Sequence, residues 1–135
     1  MIKDLDIFNI SLMLSLGCNL SCEYCRIAQS VNSSSKKLQE ENIQALKDGT
    51  YLNNVKEVLK KLSSPRSKIK CIDFWGQEPT LTLNYLTDNL EDWLKAFPNW
   101  NKTMFSTNGM AFGNKIVDFI FKLDNSIDHP FTLDI

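Results

Sequence analysis

The sequence has no excess of either charge, no long apolar run, only one histidine and no compositional break that marks a linker. Fifteen basic and sixteen acidic residues leave a formal charge of −1, with no basic stripe to neutralise a phosphate backbone. Nucleic acid is therefore not expected as an obligatory partner. No segment approaches the roughly 20 apolar residues of a membrane span. Ile7 to Leu16 is fairly apolar, but Asp4 and Asp6 precede it where an export signal carries positive charge, and Asn9, Ser11 and Ser15 interrupt it. A soluble, cytoplasmic protein with no membrane partner is the expectation. His129 stands before Pro130 and reads as an ordinary polar residue rather than a ligand.

What is present is one domain's worth of chain. At 135 residues a single hydrophobic core over 1–135 is expected. Short β-like runs alternate with longer helical ones, the pattern of βα units around a parallel sheet. Asn9 to Leu16, Ile69 to Trp75, Lys102 to Ser106 and Phe131 to Ile135 read as strands. A polar loop over Arg26 to Ser35 leads into a helix in two pieces, broken at Gly49-Thr50. The second piece carries Tyr51, Val55, Val58, Leu59 and Leu62 on one stripe before Ser63-Ser64-Pro65 closes it. Leu83, Leu86, Leu90, Trp93, Leu94 and Phe97 predict a further helix that stops at Pro98. Asn114 to Leu123 predicts the last. The expected fold class is α/β, a partial (β/α) barrel of parallel strands with about four βα units. The chain stops at an apolar strand with no helix to cover it, so truncation at the C-terminus is expected.

The chemistry concentrates in the cysteines. Cys18, Cys22 and Cys25 crowd into eight residues directly after the first strand, while Cys71 stands alone and is expected to pack as a small apolar side chain. Two disulfides fit that asymmetry poorly. Three thiolates on one compact loop can face one iron–sulfur cluster and leave an iron open for a small molecule. Structural zinc wants a fourth protein ligand, and none is evident. The spacing alone favours a cluster, with zinc or unligated thiols as the alternatives.

Cys-x3-Cys-x2-Cys with Tyr24 before the last cysteine resembles the radical S-adenosylmethionine superfamily. Phe74-Trp75-Gly76-Gln77-Glu78-Pro79, closing the second strand, is similar to that family's Gly-Gly-Glu-Pro motif. Ser106-Thr107-Asn108-Gly109, closing the third, resembles its Thr-Asn-Gly segment. Taken singly, Gly-x-Glu-Pro is an ordinary strand-to-helix turn and Asn-Gly an ordinary turn signal; their conjunction with the cysteines gives them weight. In a parallel α/β barrel functional groups gather where the strands end, and all three motifs sit there.

The resemblance implies a 4Fe–4S cluster on Cys18, Cys22 and Cys25, with S-adenosylmethionine chelated at the open iron. It implies contacts to that ligand from Tyr24 beside the adenine and from Gly76, Gln77, Glu78, Pro79 and Asn108. Glu78 would offer its carboxylate to the methionine ammonium, Gly76 would allow close backbone approach, and Pro79 would fix the turn. Gln77 departs from the family's second glycine. Thr132 and Asp134 match a strand whose hydroxyl residue meets the ribose and whose acid faces the reaction chamber. The implied reaction is one-electron cleavage of S-adenosylmethionine to a 5′-deoxyadenosyl radical, with an electron donor such as flavodoxin or ferredoxin.

The motif wording is similar to members that modify peptides or proteins. Glycyl-radical activating and small-metabolite enzymes stand as alternatives. The family's partial barrel has six βα units. If eight units take about 250 residues, this chain supplies about four. A different class of reading is a non-catalytic iron–sulfur or partner-binding module, a truncated remnant of such an enzyme.

Overall fold

The computed structural model describes residues 6–15, 33–76, 78–107, 114–126 and 131–134. Four parallel strands, β1 (Asn9–Ser15), β2 (Cys71–Gly76), β3 (Lys102–Ser106) and β4 (Phe131–Asp134), lie side by side in chain order. Between them run α1 (Ser33–Asp48), α2 (Thr50–Lys61), α3 (Leu83–Asp88), α4 (Leu90–Ala96) and α5 (Asn114–Ser126). α1 packs on α3 and α3 on α5, so the helices following successive strands form one layer. The chain is thus α/β with a parallel sheet. No described helix is long and apolar enough to cross a membrane.

Alternation along each strand decides which face the helices cover, because side chains point to opposite faces with period two. Leu14, Ile72, Phe74, Thr103 and Phe105 are buried, with Ile10 and Leu12 partly buried against them. Their neighbours Ser11, Met13, Trp75 and Ser106 are exposed, and Asp73 and Met104 are half-buried. Phe74 is the hub of the covered face. Its ring meets Trp93 at 6.0 Å, Trp100 at 6.1 Å and Phe119 at 6.3 Å, each near edge-to-face. Such pairs add to the burial of a large apolar ring. Phe74→Ala should cost about 3–5 kcal/mol, since so many neighbours cannot collapse together into the space. Urea unfolding at fixed m-value measures it.

The break between α1 and α2 falls where expected, at Gly49, whose φ of 83° is left-handed. Other boundaries differ. α1 begins at Ser33, inside the expected loop. β2 begins at Cys71 rather than Ile69, because Arg66–Lys68 forms a 3-10 turn that Ile69 closes by donating to the Arg66 carbonyl at 3.2 Å. The helix expected over Leu83 to Phe97 is two helices. At Asn89 the backbone leaves helical geometry, and the side-chain amide donates to the carbonyls of Tyr85 at 3.0 Å and Leu46 at 3.1 Å. An asparagine amide that serves local carbonyls competes with the helical ladder and ends it. α5 runs to Ser126, one turn past the expected Leu123. Leu16 and Ile135, the expected last residues of the first and fourth strands, lie outside the described residues.

Candidate functional site at the strand ends

The C-terminal end of β1 is held from several directions. Tyr51 Oη donates to the Met13 carbonyl at 2.7 Å, and burial pushes that phenol up to about 12. Asn42 Nδ2 and Thr82 Oγ1 donate to the Leu14 carbonyl at 2.9 and 2.8 Å, and Gln39 Nε2 donates to Ser15 Oγ at 3.1 Å. Side chains from α1, α2 and the turn after β2 therefore converge on three residues. The segment that carries the cysteines follows immediately.

Gly76 ends β2 against that same point. It pairs with Ser15 after a register shift between Met13 and Ser15, and its φ of 140° lies where L side chains rarely go. A Cβ built there would stand 2.4 Å from the Ser15 carbonyl oxygen and 2.9 Å from its nitrogen. Only glycine lets the two strand ends approach this closely. Gly76 was expected to allow close backbone approach to a ligand; its close neighbour in the structure is the protein's own first strand.

Glu78 follows, 1% exposed. Its backbone is extended, and its side chain caps the 3-10 turn Pro79–Leu81, accepting from the Thr80 amide at 3.3 Å. Pro79 occupies the first turn position, where its missing N–H costs nothing. The same oxygen, Oε1, accepts from Thr80 Oγ1 at 2.6 Å and from Thr107 Oγ1 at 2.5 Å. Thr107 stands one residue past β3 and is itself buried. A carboxyl group removed from water needs such donors. Here they tie the end of β2 to the end of β3.

Thr107→Val keeps the shape and deletes the shorter of these bonds. We expect a loss of about 1.5–3 kcal/mol, the range for a hydroxyl bonded to a charged group, read as a lower urea midpoint. Thr107→Ser should recover most of it.

The sequence-predicted site residues fall into three sets. Gly76, Glu78 and Pro79 are brought together beside Ser15 and Thr107. Thr132 and Asp134 lie on β4, in register with Met104 and Ser106. Cys18, Cys22, Cys25, Tyr24, Gln77 and Asn108 lie outside the described residues. Among the described residues no group of three His, Cys, Asp or Glu could hold a metal ion. Cys71 is a buried free thiol, as expected.

Thr80 and Thr82 were not anticipated as parts of the site, and Thr107 was named only within the Ser106-Thr107-Asn108-Gly109 motif. The first two carry a signal, a threonine just after Glu-Pro where hydroxyls cap turns. Thr107 stands in a motif, but its bond to Glu78 has no local signal, because that partner lies 29 residues away. No family model, curated protein or solved structure matches this chain.

Proposed function

We propose that this chain is the N-terminal part of a radical S-adenosylmethionine enzyme's partial (β/α) barrel. One observation carries the reading. The three strand ends that bear the three motifs are joined, β1 to β2 through the Ser15–Gly76 contact and β2 to β3 through the Glu78–Thr107 hydrogen bond. Adjacent parallel strands end on one edge of their sheet, so these contacts support the reading by putting Ser15, Gly76, Glu78 and Thr107, which flank or carry the three motifs, together there. Strand order in chain sequence, with the intervening helices in one layer, supports a singly wound barrel over a doubly wound sheet, whose order reverses at a switch point.

The donor set fits the group. Cys18, Cys22 and Cys25 would hold a 4Fe–4S cluster by three thiolates, and a chain with no evident fourth ligand leaves one iron for the amino and carboxylate groups of S-adenosylmethionine. When bound, the cluster supplies the electron that cleaves S-adenosylmethionine to methionine and a 5′-deoxyadenosyl radical.

The chain's own residues position and shield. The bonds from Asn42, Tyr51 and Thr82 fix the end of β1, after which the cysteine segment begins in sequence. Thr80 and Thr107 orient the Glu78 carboxyl. In its low-dielectric surroundings the attraction to an ammonium that reaches it is stronger than in water. Tyr24, Gln77, Asn108, Thr132 and Asp134 are proposed to complete the ligand's surroundings. Flavodoxin or ferredoxin is the proposed electron donor, and a peptide or protein side chain the proposed substrate.

Incubation of the anaerobically reconstituted, dithionite-reduced protein with S-adenosylmethionine tests the proposal. Formation of 5′-deoxyadenosine is expected. A cluster-loaded protein that forms none would instead support a non-catalytic iron–sulfur module.

A further inference from the structure

A cavity of about 380 Å³ lies between α2, α4 and the 3-10 turn before β2, within the size range of small-molecule sites. It shares no residue with the strand ends. Asp48, Asn53 and Lys56 line it from α2 and the turn before it, Asp92 and Lys95 from α4, and Arg66 from the 3-10 turn. Opposite charges on one concave wall are free to neutralise each other by pairing. Here they do not. Lys95 Nζ pairs with Glu91 at 3.1 Å, one turn back along α4, and none of the ion pairs among the described residues includes Asp48, Lys56, Arg66 or Asp92. Lys56 is half-buried and still has no hydrogen-bond partner. Arg66 uses a single donor, Nη1, on the Ala96 carbonyl at 3.3 Å. Hydrogen bonds from the Thr50 hydroxyl and amide hold the Asp48 carboxyl below its ordinary value, which keeps it ionised.

The charges are also ordered. Tyr51 meets Trp93 near the start of α2 and in α4, and Arg66 meets Ala96 past the end of one helix and at the end of the other, so the two helices run side by side in one direction. Asp48 precedes α2, and Lys56 stands about 12 Å further along at 1.5 Å per residue. On α4, Asp92 stands one turn before Ala96, the residue that Arg66 bonds. Acids therefore mark one end of the cavity, and Lys56 and Arg66 mark the other. An anion alone would leave the acids unanswered, and a cation alone the bases. A ligand with an ammonium at one end and a carboxylate at the other answers both. An extended chain spans about 3.3–3.6 Å per residue, so two or three residues set its termini about 7–11 Å apart, which matches the poles.

We infer that this cavity binds a short peptide with free ends, of two or three residues. Its ammonium lies at Asp48 and Asp92, and its carboxylate lies at Lys56 and Arg66, whose planar guanidinium suits a carboxylate's two oxygens. The site goes beyond the proposed function and does not rest on it.

Isothermal titration calorimetry of the full reconstituted chain with trialanine tests the site. Saturable one-to-one binding is expected. N-acetyl-trialanine, which lacks the ammonium, and trialanine amide, which lacks the carboxylate, should each bind about tenfold more weakly. Lys56→Gln combined with Arg66→Gln should bind trialanine and its amide equally, because the carboxylate has then lost its partners. Asp48→Asn combined with Asp92→Asn should cease to distinguish trialanine from its acetylated form. The comparison of peptides on the wild-type chain decides the matter even where a variant does not fold.

No saturable binding, undiminished binding of either blocked peptide, or a folded variant that keeps the full preference would each overturn the site. Inorganic phosphate displacing trialanine mole for mole would do so as well, since it would mark a site for a single anion. None of these readouts depends on 5′-deoxyadenosine formation, so the site and the proposed activity can fail separately.

Discussion

Gly76→Ala is expected to destabilise the protein by about 2–5 kcal/mol and to loosen the end of β1. Two costs add. The φ of 140° is strained for any L side chain, at about 1–3 kcal/mol, and the new Cβ would stand 2.4 Å from a backbone oxygen that cannot rotate away. Ser15 must retreat, and the anchors on Met13 and Leu14 retreat with it. Gly49→Ala is the internal control. Its φ of 83° imposes similar strain, yet nothing lies within 4 Å of the added carbon. That variant should lose only about 1 kcal/mol. Urea midpoints of the pair separate steric contact from backbone strain. Equal losses would show that the Ser15–Gly76 approach is not the constraint described here.

Cys22→Ala carries the largest expected functional effect. If the three thiolates hold one cubic cluster, two cannot keep it, and reduced protein with S-adenosylmethionine should give no measurable 5′-deoxyadenosine. Cys71→Ala offers the contrast. That thiol is buried in β2, far in sequence from the other three, and burial raises its pKa, which favours the protonated and inert form. Cluster content and product formation should survive its removal, with at most a modest loss of stability. Equal behaviour of the two variants would separate the triplet from the chemistry.

The element types were legible because period and punctuation agree. Ile72, Phe74, Thr103 and Phe105 alternate with exposed neighbours, and the last helix shows its stripe in Ile116, Ile120 and Leu123. Boundaries were less so, for physical reasons. Leu83 to Phe97 keeps helical apolar spacing straight through Asn89, because both short helices present the same side to one core. The stop is an amide that bonds to Tyr85 and also to Leu46, and the second partner, 43 residues away, lies in no local pattern.

The same holds at the site. Gly76, Glu78 and Pro79 stood out by motif, whereas the hydroxyl that fastens Glu78 comes from another strand's end.

Cys18, Cys22 and Cys25 are proposed to hold a four-iron cofactor. Anaerobic reconstitution of the wild-type chain with iron and sulfide, followed by electron paramagnetic resonance of the reduced protein before and after S-adenosylmethionine, tests it most directly. The account predicts about four irons per chain and a low-temperature signal that changes on adding the ligand. A colourless protein holding one zinc ion, or a cluster signal indifferent to S-adenosylmethionine, would contradict it.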